Sequence, residues 1–446
     1  MRLPGQDMHL IHPLDAKCVK SFTSMRTLSL MTVFRVAVGP AMRLVPASER
    51  FLTDADTGTS KRELSRLFNE QLRSLSNLRS YAAQLQLKMD EYWVKSVPAD
   101  PESIKVGLSS WTFDMLSYSM GSVFWGENGP FEEALFREKL RVFIQNLEAL
   151  RNPIGFLIPR SICSARAYVR SKLDQAAKDE AYGSESQGFT LFRQLESLYE
   201  THEVPPAGFT DCHLVAIVGL LSNVINIVAW AMCHIVADKN LKASLEFELH
   251  KVVNRSSGDP DNEGLDLRLD LDKVKDSCPL LLATWYELLR IYGDSPVARY
   301  VQADTAFDAH FRVRRGSIIM TPIHLHNFEA EIWGSDVDAF RPNRFLRRDN
   351  GMVDTDLIKH LEVFGLPGMH QCPGRYLAMN LTLAFVAKAL MNFEILPAPG
   401  SAFAIPNRKD TMLGLPATES DPKAFIGCYP GVRSVFVDFE KLQPGW

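Results

Sequence analysis

The sequence predicts a mostly α protein with a minor β part in its C-terminal half, and three observations predict it. Apolar residues recur at helical spacing through residues 60–95 and 130–250. The stretch from Leu214 to Ala237, LVAIVGLLSNVINIVAWAMCHIVA, is long and apolar and holds no Asp, Glu, Lys or Arg. From Gly293 to Asn350, short β-prone runs such as VARYV and SIIMTPI stand between Gly, Pro and Asp punctuation.

Taken in order, the N-terminus MRLPGQDMHLIHPLDAKC lacks the apolar centre of a signal peptide. In residues 60–95, Leu64, Leu67, Phe68, Leu72 and Leu75 make an apolar stripe between charges. The stretch 214–237 is long enough to span a membrane. Ser222, Asn223, Asn226 and His234 within it, and the absence of a flanking basic cluster, favour a helix buried inside protein. Residues 254–276 are polar, acidic and turn-rich, and read as a surface loop. A helix follows, capped by Ser277 with Pro279 in its first turn. Its apolar side is Leu281, Leu282, Trp285, Leu288 and Leu289. After Cys372 the chain is helical again, and its proline-rich end reads as hairpins and turns. Without repeats or an obvious linker, residues 1–446 read as one domain.

Composition excludes several classes. With 46% hydrophobic and 23% charged residues, the chain is globular and long enough for a large core. A net charge of −4 gives no basic surplus for nucleic acid. Seven scattered cysteines with no CxxC pair make neither a disulfide scaffold nor a zinc ribbon, and they suit a reducing compartment.

The most informative stretch is VFGLPGMHQCPGRYLAMN, Val363 to Asn380. Cys372 sits where a glycine-rich loop opens a helix through Pro373, Gly374 and Arg375. Unpaired N–H groups and the positive helix end beside the sulfur favour thiolate. Four readings stay open on these residues. Cys372 is a nucleophile with a histidine base such as His370, or a zinc ligand with His324 and His326, or the axial ligand of a heme iron, or an inert buried thiol.

Two further motifs precede the loop. TWYELLR places Glu287 and Arg290 three apart on one helix face. DAFRPNRFLRRDN carries Pro342, Arg344 and Phe345. A Glu-x-x-Arg helix, a Pro-x-Arg-Phe segment and a Gly-x-x-x-Cys-Pro-Gly loop, in that order near the C-terminus, resemble the cytochrome P-450 superfamily. The resemblance is best over 210–446 and faint from 9 to 210. It looks like fungal members, many of which tailor secondary metabolites, and loosely like the branch of prostacyclin synthase and sterol 7α-hydroxylase.

The resemblance implies a P-450 fold with a long central helix over a buried heme b. Cys372 would be the fifth iron ligand. Glu287, Arg290 and Arg344 would form a buried ionic network. Arg299 and His370 match positions that hold heme propionates. Phe364, Gly365 and Gly368 belong to the loop around the sulfur, and Val297 and Ala298 would line the substrate pocket. The implied activity is that of a monooxygenase using O2 on a small lipophilic substrate, with electrons from an NADPH-dependent flavoprotein reductase. That partner would dock near Arg341, Arg344, Arg347, Arg348, Lys359 and Arg375. The implied location is the cytosolic face of the endoplasmic reticulum, with peripheral membrane contact, or the cytosol. The chain departs from the pattern in three ways. The loop is one residue longer between Gly365 and Cys372. Asn223 and Val224 stand where the oxygen-side helix normally has an acid–alcohol pair. The chain reads as beginning after the membrane anchor, hinge and earliest strands. Two rival expectations follow: a heme-thiolate isomerase or dehydratase needing neither O2 nor reductase, and a degraded binding protein without heme.

Overall fold

The computed structural model describes residues 2–3, 6–10, 25, 27–53, 59–96, 103–127, 129–151, 155–178, 190–256, 269–293, 296–307, 311–365, 371–398, 403–409 and 415–428. The helices that build the site are α1 (Thr59–Arg73), α2 (Leu75–Ser96), α3 (Leu108–Trp125), α4 (Thr190–Thr201), α5 (Pro206–Ala237), α6 (Pro279–Tyr292) and α7 (Arg375–Asn392). Helix α5 starts on a proline, whose missing N–H had no partner in a first turn anyway. It runs 32 residues and is apolar and long enough to cross a membrane. Instead it lies in the protein core, packed against α3, α6 and α7. Its neighbours replace lipid on nearly every side, which is why its apolar residues need no stripe.

Polar side chains on α5 bind outward-lying backbone. Asn223 Oδ1 accepts from Leu415 N–H at 2.9 Å, and Asn226 Nδ2 donates to Leu415 O at 2.9 Å. Trp230 Nε1 donates to Pro416 O at 2.7 Å and stacks on Tyr292 of α6, centroids 4.1 Å apart. The Tyr292 hydroxyl shares a 2.7 Å hydrogen bond with buried His234 Nε2. Burial holds the His234 pKa down, at about 4.

The stripe in 60–95 divides into two helices at Ser74. Leu72 is buried, but Leu75 opens α2 exposed. The expected loop 254–276 is partly helical. Leu271–Ser277 forms a short helix whose first N–H groups, Asp272 and Lys273, bond the Asp270 carboxylate. That cap is a local aspartate signal hidden in an acidic run. Ser277 ends this helix, and Cys278, with no side-chain bond, stands at the N-cap of α6.

Two sheets of three or more strands flank the helices, beside two two-stranded ribbons, Thr305–Ala306 with Arg312–Val313 and Arg408–Lys409 with Ala417–Thr418. One has five strands in the order β1 (Arg2–Leu3), β2 (Gln6–Leu10), β6 (Ile318–Thr321), β5 (Val297–Val301), β3 (Leu28–Ser29). Strand β2 runs parallel to β6, and the other pairs are antiparallel. Two of these strands, β1 and β2, lie within the first ten residues. QDMHL is too short and polar to stand out as a strand before it is paired. The second sheet orders β4 (Ser103–Gly107), β8 (Lys423–Cys428), β7 (Phe393–Pro397), all antiparallel. His324 and His326, read as alternating on a strand, fall in a 3-10 helix, Ile323–Phe328.

Candidate functional site

Two constructions stand out, one around the Glu-x-x-Arg pair of α6 and one beside Cys372. The first is ionic. Glu287 and Arg290, one turn apart on α6, are fully buried. Arg290 Nε and Nη2 donate to the two Glu287 oxygens at 2.7 and 2.9 Å, a bidentate pair. Arg290 Nη1 goes on to Asn327 O at 3.0 Å, and Arg341 N–H donates to Glu287 Oε1 at 2.8 Å. Arg344 Nε lies 3.5 Å from Glu287 Oε1, while its Nη groups bond Asp336 and the carbonyls of Trp333 and Asp336. The expected triad is therefore present, and Asp336 joins it unannounced. Arg344 and Arg341 hydrogen bonds hold the Asp336 carboxyl down, at about 2. The network ties α6 to the loop 327–344 and so fixes the approach to the cysteine segment. Asn327 continues it, exchanging hydrogen bonds of 3.0 Å with Glu362 N and O.

The second construction is a cavity of about 260 Å³ with Cys372, Pro373 and Gly374 at one end. Its walls are Leu64, Phe68 and Leu72 of α1, Leu195 and Tyr199 of α4, Cys212, Val215, Ala216, Gly219 and Leu220 of α5, and Leu52. Cys372 is half-buried. Its N–H closes the loop onto Phe364 O at 2.9 Å, and Phe364 and Gly365 turn there through left-handed backbone, φ +64° and +77°. A phenylalanine in that region is strained. The extra residue expected between Gly365 and Cys372 falls on 366–370, outside the described residues. Arg375 Nη1 donates to Cys372 O at 3.0 Å. Burial raises the thiol's pKa, and the Gly374 N–H and Arg375 only partly oppose it. The helix end therefore does not by itself make a thiolate. A bound cation is the missing partner that would.

The chemistry of the residues present fits an apolar macrocycle carrying carboxylates and a thiol-ligated metal: a thiol ends an apolar cavity, and a buried arginine stands on β5. A side chain added at Gly219 would meet nothing within 4 Å, so α5 presents open space to the cavity. On β5 the buried face is Val297, Arg299 and Val301. The Arg299 guanidinium is buried, and its hydrogen bond among the described residues is to Ala298 O at 2.8 Å. Burial without a carboxylate lowers its pKa, to about 10. An arginine on an apolar strand face awaits an anion.

Other expected residues are distributed as follows. Asn223 and buried Val224 lie on α5 beyond the cavity-lining residues, with Asn223 Oδ1 engaged by Leu415. Gly368 and His370 lie outside the described residues. Val297 is buried and Ala298 half-buried; both border Arg299 on β5. The basic residues are largely tied to local acids: Arg341 and Arg344 to Asp336, and Arg347 and Lys359 to Asp356. No group of three His, Cys, Asp or Glu is arranged to hold a metal among the described residues. Tyr199, Cys212 and Asp336 were not singled out in the sequence. Gly219 was legible as a glycine interrupting a helical run.

A family model described as Cytochrome P450 matches residues 167–423. A cytochrome P450 monooxygenase of Hypoxylon pulicicidum is 25% identical over 299 residues, covering 66% of this chain and 57% of that one. The 25-hydroxycholesterol 7-alpha-hydroxylase of Rattus norvegicus is 27% identical over 220 residues, covering 47% and 51%. These matches span little more than half the length of either relative. In fold the chain is similar to cyanobacterial CYP120A1 with retinoic acid bound. The TM-score is 0.68 at 16% identity, covering 96% of this chain and 91% of that one.

Proposed function

The chain belongs to the cytochrome P450 family, and on that premise we propose that it is a heme-thiolate monooxygenase acting on a small lipophilic substrate. The observation that carries the reading is the Cys372 thiol at one end of an apolar cavity lined by the long central helix, which is free of Asp, Glu, Lys and Arg from Leu214 to Ala237. Heme b, when bound, supplies activation of O2 for insertion of one oxygen atom into a C–H bond. Cys372 holds the iron. Arg299 binds a propionate, which restores a partner to its buried charge. Leu52, Leu64, Phe68, Leu72, Val215 and Leu220 exclude water and select apolar molecules. Glu287, Arg290, Arg344 and Asp336 keep the preceding loop in place.

Asn223 holds Leu415–Pro416 against α5, and Val224 packs beside it. Neither supplies a carboxyl or hydroxyl, so protons reach the site through water or the substrate. Electrons come from an NADPH-dependent flavoprotein. Asp336 and Asp356 offset only part of the expected basic patch, so a positive excess is left to steer an acidic flavoprotein. The fungal relative supports a role in secondary-metabolite biosynthesis. Family likeness supports a place on the cytosolic face of the endoplasmic reticulum.

The test is incubation of the heme-loaded protein with a reductase, NADPH, labelled dioxygen and a panel of lipophilic compounds. Products that carry one labelled oxygen and require NADPH support the reading. Rearranged products formed without NADPH, and without label, overturn it in favour of an isomerase.

A further inference from the structure

The Cys372 cavity is lined by a polar group, the Tyr199 hydroxyl, that no hydrogen bond among the described residues satisfies. Tyr199 is 2% exposed and lines the cavity. Its ring is fixed edge-on to Phe51, centroids 5.3 Å apart, and packed on Phe209 and His213 at 5.4 and 5.7 Å. Its hydroxyl forms no hydrogen bond among the described residues and keeps some accessible surface. Tyr199 belongs to the cavity wall, so the cavity is the space that can supply that hydroxyl with a partner. Burial raises its pKa well above the ordinary value, so it remains a protonated donor.

The register of the walls places this hydroxyl away from the thiol. Glu63 Oε2 meets His202 Nε2 at 2.7 Å, and Gln71 Nε2 donates to Gln194 Oε1 at 3.0 Å. Helices α1 and α4 therefore run antiparallel. Leu72 and Leu195 share one end of the cavity, and Leu64, Phe68 and Tyr199 share the other. Leu72 is at the cysteine end, since Leu72 Cδ1 and Cys372 Sγ both border Gly374. On α5 the contacts of Tyr199 are Phe209 and His213, about two to three turns before Gly219. The ends are thus roughly 6–12 Å apart along α1 and α4.

We propose that this far end is a substrate subsite in which the Tyr199 hydroxyl anchors one uncharged acceptor oxygen, a ketone, ether or ester, of an otherwise apolar substrate. The walls around Tyr199, Leu52, Leu64, Phe68, Cys212 and Val215, carry no cation, so a carboxylate there would be uncompensated. Burial pushes the Cys212 thiol up to about 12, so it contributes no charge either. The anchor fixes which end of the substrate points back toward Cys372. This rests on the reading of the cavity as the heme and substrate site.

The test uses two probes that differ only in a carbonyl, cyclohexyl phenyl ketone and cyclohexylphenylmethane, titrated calorimetrically into the heme-loaded protein and its Tyr199→Phe variant. Wild type is expected to bind the ketone about fivefold more tightly, the size of one neutral hydrogen bond. The variant should lose that preference while its affinity for the methylene probe stays unchanged. A ketone preference retained in Tyr199→Phe overturns the proposal. So does its absence in wild type, the result expected if ordered water alone satisfies the hydroxyl; this comparison stands even if the variant does not fold. Faster heme transfer from the variant to apomyoglobin, with the ketone preference intact, would instead assign the hydroxyl to the cofactor and overturn the proposal. The carbon monoxide spectrum of the same preparation reports separately on the heme reading, which can fail while the probe pair still reads Tyr199.

Discussion

The ionic network on α6 and the cavity beside Cys372 are built on opposite terms. In the network the charges answer one another: Glu287 takes a bidentate arginine and a backbone N–H, and Arg290 divides its donors between Glu287 and carbonyls. On β5 the Arg299 guanidinium has no carboxylate among the described residues, and at the cavity the Tyr199 hydroxyl has no hydrogen-bond partner among them and the thiol's pKa is raised. The Glu287–Arg290 pair closes on the chain itself. Groups kept for a ligand are left incomplete by it, and the chain bears that cost until the ligand arrives.

The comparison can be broken first at the network. Removing one member leaves the others buried and unpaired, so Glu287→Ala or Arg290→Ala should cost about 3–5 kcal/mol. The expected result is loss of soluble protein or of heme incorporation, read by urea unfolding and the heme-to-protein absorbance ratio. Stable, heme-bound protein from both variants would show that the network does not brace the site.

Acid should act on the closed side as well. His234 titrates near 4 in the folded chain against an ordinary 6.5. Between those values the unfolded chain binds a proton that the folded one excludes. Stability is therefore full above pH 6.5 and falls as pH drops toward 4, by about 3 kcal/mol. Unfolding midpoints across that window should slope accordingly, and His234→Gln, which cannot titrate, should flatten them.

Arg299→Met sharpens the contrast from the open side. Removing an unpaired buried charge should leave the heme-free protein as stable as before, while heme loss quickens about tenfold, the worth of a charge-assisted bond. Equal thermal midpoints with faster transfer to apomyoglobin are the expected pair. A destabilised heme-free protein would mean that Arg299 is structural. The smallest effect falls at Asn223, where alanine frees only the Leu415 N–H and should cost about 1 kcal/mol.

What the sequence showed follows the same division. The Glu-x-x-Arg spacing was legible because a helix turns residues three apart to one side. Asp336 was not, because it reaches Arg344 through irregular turns with no period to read. Cys372 announced itself through its glycines and proline, yet its helix-end argument counted only the term that favours thiolate. Burial, which opposes it, is a property of the folded cavity. Tyr199 looks in sequence like any aromatic on an amphipathic helix, and what distinguishes it is a partner it lacks. The central helix was placed correctly in the core because its asparagines and histidine would have been unmet in lipid. The asparagines bind the Leu415–Pro416 segment.

The central claim is that Cys372 ligates heme iron as a thiolate. It is tested most directly by the Soret band of the reduced, carbon monoxide-bound protein beside Cys372→Ser. The account predicts the red-shifted band of a thiolate-ligated heme in the wild-type protein and its loss in the variant. A wild-type band at the position given by a neutral ligand, or one that survives the substitution, would contradict it.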